Sequence, residues 1–236
     1  MALPASLAAL NQQIIACHRC PRLVEHREAV ARRRKREFSS WTYWGRPVPG
    51  IGDPRARVLL VGLAPAAHGA NRTGRMFTGD GSGDFLTPAL YRAGLVSQPT
   101  SISRDDGLRY AGLYITAAAR CAPPENMPLP SELMNCRPYL LRELELLTEL
   151  RVVVALGGVG HAAVLQAAVA LGWQVPTPRP VFGHGARAPL GRLDGRQITL
   201  LDSYHPSRQN TQTGRLTVSM LNAIVRTAAR LADMRS

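Results

Sequence analysis

The sequence predicts an α/β fold, and three observations carry that prediction. Short apolar, β-branched runs recur along the chain: "RVLLVGLA" (57–64), "LYITAAA" (113–119), "RVVVALG" (151–157) and "RQITLLDSYHPSR" (196–208). The stretches between them have helical character, and that alternation is the pattern of a parallel sheet covered on both faces. Segments 62–80, 117–126 and 203–212 each sit at the end of one of these runs. In such sheets ligands bind beyond the carboxyl ends of the strands.

The remaining elements follow in order. Residues 1–36 read as helical, interrupted by "CHRCP", and end in the basic run "ARRRKRE" (31–37), which reads as a solvated face. "FSSWTYWGRPVPGIGDP" (38–54) has no helical period and reads as an ordered loop whose aromatics suit core lining or base stacking. "SGDFLTPALYRAG" (82–94) reads as a helix stopped by Gly94, with Asp84 as its N-cap. Residues 127–150 read as helical, with Pro138 opening the longer half. A glycine-closed helix over 159–172, a loop "PTPRPVFGHGARAP" and a C-terminal helix from about 214 to 233 complete the chain. With no internal repeat and no second boundary, residues 1–236 read as a single domain.

Composition narrows the partners. The chain has 29 basic and 16 acidic residues, a net charge of +13, which implies an anionic partner, nucleic acid before a membrane surface. Lys35 is the only lysine; every other basic residue is arginine, suited to bidentate phosphate contacts. No apolar run approaches the roughly 20 residues that cross a bilayer, and the N-terminus lacks a basic leader, so the expectation is a cytoplasmic protein without a membrane partner. A chain of 236 residues can bury a core without disulfides.

The loop "GLAPAAHGANRTGRMFTGD" (62–80) looks like a phosphate cradle but matches none. A Walker loop needs Gly-Lys-Ser/Thr, and no lysine is present. No stretch gives the dinucleotide G-x-G-x-x-G, and "DGSGD" (80–84) lacks the ligand spacing and closing glutamate of a calcium loop. A plain strand-to-helix turn would explain the glycines. It would not explain why backbone donors, two arginines, an aromatic and a carboxylate share "GANRTGRMFTGD".

Two further features carry chemistry. The four cysteines, Cys17, Cys20, Cys121 and Cys136, form C-x2-C and, much later, C-x14-C. That is a full thiolate set for zinc or an iron–sulfur cluster; a thioredoxin-like use of Cys17 and Cys20 would leave the second pair idle. His205 stands at the end of the last strand, before Pro206 and a polar loop, Ser207 to Thr213, able to grip a phosphate backbone.

These segments together resemble the uracil-DNA glycosylase superfamily, and most closely its family 5, the type B enzymes with an iron–sulfur cluster. The matching stretches are "CHRCPRLVEHRE" (17–28), "RPVPGIGDPRARVLLVGLAPAAHGANRTGRMFTGD" (46–80), "YITAAARCAPPENMP" (114–128) and "SYHPSRQNTQTGRLT" (203–217). The resemblance implies a three-layer α/β/α sandwich around a four-stranded parallel sheet. It implies a 4Fe–4S cluster on the four cysteines with a structural role, with zinc the lesser alternative. It implies excision of uracil from DNA, with hypoxanthine and other deaminated bases tolerated, as the opening of base excision repair.

Other superfamily members place a polar residue just after the loop's first glycine. Here that neighbourhood reads Gly62-Leu63-Ala64-Pro65, without an acid, so Asp80 is the expected catalytic carboxylate. The second strand ends Thr116-Ala117-Ala118, without the asparagine that type A enzymes use on uracil, and Asn126 is the expected substitute. Phe77 is expected to stack on the flipped base, with Gly62 and Ala64 forming the backbone side of the pocket. His205 is expected to hold the departing base anion, and Ser207, Arg208, Gln209 and Asn210 to contact DNA. A lyase mechanism needs an amine; Lys35 lies far in sequence from every pocket segment, so a monofunctional hydrolase acting as a monomer is expected. The competing reading is a non-catalytic basic DNA-binding module with a structural metal centre.

Overall fold

The computed structural model describes residues 5–233; the first four positions of the helical stretch expected over 1–36, and the last three of the chain, lie outside the described residues. The order is α1 (Leu7–Ile15), α2 (Pro21–Arg33), β1 (Ile51–Gly52), β2 (Val58–Gly62), α3 (Ala70–Thr73), α4 (Gly81–Arg92) and β3 (Leu113–Ala117). Then come α5 (Pro130–Leu146), β4 (Val152–Leu156), α6 (Gly158–Ala170), β5 (Arg187–Gly191), β6 (Gln197–Ser203), α7 (Arg208–Gln212) and α8 (Val218–Leu231).

The strands form one sheet in the order β1-β3-β2-β4-β6-β5. The pairs β2–β3, β2–β4 and β4–β6 are parallel, whereas β1 on β3 and β5 on β6 are antiparallel. This corrects the expected four-stranded, wholly parallel sheet: the sheet has six strands and is mixed. Both additional strands lie at edges, inside segments that read as loops. β1 is two residues long within a Pro/Gly-rich stretch. β5 contains Pro189, tolerated at an edge because no neighbour needs its missing N–H, and it alternates exposed and buried residues.

Two apolar layers flank the sheet because successive strand residues face opposite sides. Val58 and Leu60 of β2 and Val154 of β4 pack with Leu86 and Leu90 of α4 and Ile224 and Val225 of α8. Leu59, Val61 and Val153 face the other way, against Leu140 and Leu144 of α5 and Val164 and Leu165 of α6. Strands β2, β3 and β4 are buried throughout, which is why they read as continuous apolar runs.

Two helix boundaries differ from expectation. α5 is one helix with Pro138 in its interior. The carbonyl that Pro138 leaves unpaired, four residues back, belongs to the exposed Met134, where water can satisfy it. α4 begins at Gly81 and is capped by Asp80, not Asp84: the Asp80 carboxylate accepts from the N–H groups of Ser82 and Gly83.

The parallel register sets Gly62 beside Ala117 and Leu156 beside Ser203, so the chain leaves β2, β3, β4 and β6 along one edge. At that edge Arg120, just past β3, reaches Glu143 of α5 through two hydrogen bonds, Nη1 to Oε1 at 3.0 Å and Nη2 to Oε2 at 2.6 Å. The Thr116 hydroxyl donates to the same carboxylate at 2.8 Å and also meets Arg120 Nη1. Both ions are shielded from solvent, at 1 % and 0 % side-chain exposure. Removing one partner strands the other charge. Glu143→Leu is therefore expected to lower stability by about 3–5 kcal/mol, and adding Arg120→Met to recover most of the loss, as denaturant unfolding of the two variants will show.

Candidate active site

Gly62 closes β2 and cannot carry a side chain: a Cβ there would stand 2.9 Å from Phe77 Cζ. The Phe77 ring thus lies on the strand end, its backbone left-handed at φ 49. Its centroid is 5.9 Å from that of His205, tilted by 36°. Beneath His205 is Gly157, the first residue after β4, whose Cβ would stand 3.3 Å from His205 Cβ. The ends of β2, β4 and β6 therefore converge on one small surface made of Gly62, Phe77 and His205.

Asp80 follows Phe77 in the same loop, and the helix start it caps packs on Phe77: a Cβ on Gly83 would stand 2.3 Å from the Phe77 carbonyl oxygen. Its Oδ1 accepts from the N–H groups of Ser82 (3.0 Å) and Gly83 (2.9 Å), fixing the carboxylate at the N-terminus of α4. Oδ2 faces Gly69: a Cβ on that residue would stand 1.8 Å from it, so only glycine fits. Among the described residues Oδ2 accepts no hydrogen bond and remains available to a ligand. Burial pushes the Asp80 carboxyl above its ordinary value, against the backbone bonds that pull it down.

Arg72, which the sequence did not single out, shapes this loop. Its Nε donates to the His68 carbonyl at 2.8 Å and its Nη2 to that of Gly79 at 2.6 Å. The guanidinium is sandwiched between Phe38 and Trp41, at 3.8 and 4.1 Å from the ring centroids. It thereby joins the residue before Gly69 to the residue before Asp80.

His205 is held through its main chain: the Asn210 amide donates to its carbonyl at 2.9 Å. Asn210 is thus turned inward, whereas Arg208 and Gln209 are exposed. Ser207 caps α7. The Arg208 side chain lies over the start of α4, its Nε 3.1 Å from where a Gly81 Cβ would be. Burial pushes His205 down to about 4, so the imidazole is neutral at physiological pH.

The other expected base-site residues fall into two groups. Ala64 is half-buried in the loop beside Gly62, while Ala117 and Ala118 are buried at the end of β3. Asn126 is exposed on a single 3-10 turn, Pro124–Asn126, with a left-handed backbone at φ 58. Its side chain has no hydrogen-bond partner among the described residues. Thr116 is committed to the buried Arg120–Glu143 pair.

The cysteines come from three places: the α1–α2 link, where Cys20 stands at the N-cap position of α2, the segment after β3, and α5. All four line one small cavity, with Arg19, Pro47 and Arg120. None is in a disulfide. Among the described residues no three His, Cys, Asp or Glu side chains gather tightly enough for a single metal ion. Buried Arg27 donates to Cys121 Sγ at 3.1 Å, and the buried Nε atoms of Arg27 and Arg120 have no partner. Burial pushes the Cys121 thiol up to about 12.

The chain is similar to known uracil-DNA glycosylases. The family model for the uracil DNA glycosylase superfamily matches residues 49–229. A type-5 uracil-DNA glycosylase of Thermus thermophilus is 54 % identical over 96 % of this chain and 98 % of its own. One of Mycobacterium tuberculosis is 53 % identical over 97 % of this chain and 83 % of its own. A type-4 uracil-DNA glycosylase of Pyrobaculum aerophilum is more distant, 32 % identical over 68 % of this chain and 71 % of its own. With a mixed sheet whose carboxyl edge gathers Gly62, Phe77, Asp80 and His205, the chain belongs to the type-5 uracil-DNA glycosylases of that superfamily.

Proposed function

We propose that Asp80 and His205 carry the hydrolytic excision of uracil that this glycosylase performs, acting from opposite sides of a flipped nucleotide. The observation that supports this reading is their pairing on one surface: a carboxylate oxygen without a partner and a neutral imidazole, beside Phe77. The target base leaves the stack and enters between them. The bond from C1′ to the base nitrogen breaks with its electron pair going to the base, and positive charge builds on the sugar. Asp80 stabilises that charge through Oδ2 and orients the water that adds to C1′. The water's proton passes to the carboxylate and then to the departing base or solvent. His205, neutral, donates a hydrogen bond to the base anion, which needs no prior protonation of the ring.

Pocket breadth follows from what surrounds the base. Ala64, Ala117 and Ala118 add no side-chain donor or acceptor, and Asn126 offers its amide from an exposed turn. A site that commits few polar groups to one base edge rejects analogues weakly. We therefore expect hypoxanthine to be released as well as uracil, leaving an abasic site for base excision repair. Lys35 pairs with Glu37 at 2.9 Å on the surface, which supports hydrolysis without a lyase step. The cytoplasm, where thiols stay reduced, suits four free cysteines.

We read the cysteine cavity as the seat of a 4Fe–4S cluster, with a zinc ion as the lesser alternative. Four thiols around one cavity are a full ligand set for such a group. A cluster on four thiolates is anionic, and Arg27 and Arg120 supply buried cationic N–H groups beside it. Its contribution would be structural: it would tie α2, the segment after β3 and α5 together.

Three outcomes test these readings. Asp80→Ala is expected to lose at least about a hundredfold in single-turnover excision of uracil and of hypoxanthine, while still binding DNA with an abasic analogue. Undiminished turnover would remove Asp80 from the chemistry, and hypoxanthine left intact by the native protein would remove the broad pocket. Because His205 stays neutral down to about 4, the excision rate should show no acid limb at the ordinary histidine value of 6.5. The acid limb should instead belong to Asp80, above 3.8, and persist in His205→Ala, as rates measured from acid to neutral pH will show. Purified protein should be brown, with iron and sulfide in about equal amounts, and Cys136→Ser should lose the colour; colourless protein with bound zinc would reverse that assignment.

A further inference from the structure

A second basic cleft lies outside the base site. It opens between the end of α1, the exposed side of α2 and residues 43–46, with a volume of about 690 Å³. His18, Arg32, Arg34, Trp44 and Arg46 line it, together with one carboxylate, Glu28. Glu28 is shared at long range between Arg27 (3.7 Å) and Arg32 (3.8 Å). Arg34 donates to the Ser39 carbonyl, and Arg46 stands 5.8 Å from the Trp44 ring; neither forms an ion pair among the described residues. His18, Arg32, Arg34 and Arg46 are exposed. A concave surface with this surplus of arginine, edged by an indole, is complementary to a phosphodiester backbone.

The cleft is continuous with the base site. The Tyr43 hydroxyl in its wall meets His68 Nδ1 at 3.1 Å, and His68 precedes the Gly69 against which Asp80 rests. The backbone N–H groups of Trp44 and Gly45 donate to the carbonyls of Arg72 (2.9 Å) and Asn71 (3.0 Å). Segment 66–74 thus has Asp80 on one side and the cleft on the other.

We propose that this cleft binds the phosphate backbone of one flank of the damaged strand, chiefly through Arg34 and Arg46. It extends the DNA footprint beyond the His205 loop and fixes which side of the lesion the protein covers.

The test uses the whole protein and duplexes of about 30 base pairs with a non-cleavable abasic analogue near one end or the other, so that each keeps one long flank. Arg34→Ala/Arg46→Ala is expected to bind about tenfold more weakly, with a salt slope reduced by about 2, only to the duplex that keeps the covered flank. The control Arg55→Ala/Arg151→Ala removes equal charge at the opposite, amino edge of the sheet and should leave both affinities unchanged. Equal loss on both duplexes, equal loss in the control, or no loss overturns the proposal. Uracil excision by the native protein, measured alongside, tests the glycosylase reading separately.

Discussion

The loop that carries Asp80 depends on the Arg72 guanidinium. Residues 62–80 wander across the carboxyl edge of the sheet, and only the four-residue α3 gives them regular structure. Arg72 closes the loop by donating to carbonyls at both ends while its two faces rest on Phe38 and Trp41. Hydrogen bonds from a charged donor contribute about 1.5–3 kcal/mol each, enough to order such a segment. The geometry demands arginine, since an ammonium has no flat faces to stack and no divergent, fixed donors. It also demands Gly79, where a Cβ would stand 2.4 Å from Arg72 Nη2, and Gly69, where one would displace Asp80. The glycines that suggest a phosphate cradle make room for an arginine and a carboxylate.

Burial then acts on two groups in opposite directions. It raises Asp80 and lowers His205, because in each case it disfavours the charged form. His205 has no compensating partner and stays neutral. Asp80 is partly compensated by two backbone N–H groups and by the positive end of α4, a helix of 12 residues. The cap thus holds one carboxylate oxygen on the backbone and leaves the other without a partner among the described residues. The same burial of neutral His205 makes folding pH-dependent. The unfolded chain takes up that proton below about 6.5, so stability from this group falls as pH drops from there toward 4.

What the sequence disclosed follows from what was local. β2, β3 and β4 were legible because strands buried on both faces read as continuous apolar runs, and β6 by its buried Ile198, Leu200 and Leu201. β1 and β5 were not, because an edge strand can be two residues long or contain Pro189. His205 stood out by lying just past a strand end, and Asp80 as the carboxylate that closes a loop whose start, Gly62-Leu63-Ala64-Pro65, has no acid. The capping role of Asp80 was hidden because Gly81-Ser82-Gly83 is a poor helix opening by propensity, and only the accepted N–H groups make it one. Arg72 was invisible as a staple because Phe38 and Trp41 lie in a different loop. Asn210 read as a DNA contact from its polar neighbours, yet its amide turns inward onto the His205 carbonyl.

The cysteines, remote from the chemistry in sequence, are tied to it through α2. Cys20 stands at the N-cap position of that helix, whose buried Arg27 donates to Cys121. The Arg27 carbonyl in turn accepts from the Asn71 amide at 3.1 Å, which fixes α3. A helix of four residues has no stability of its own, so α3 takes its position from α2, and Arg72, its third residue, takes its position from α3. The chain of dependence runs from the thiols to Arg27, to Asn71, to Arg72 and so to Gly69 and Asp80. The cysteine cavity is therefore linked, through packing and hydrogen bonds alone, to where the Asp80 carboxylate stands.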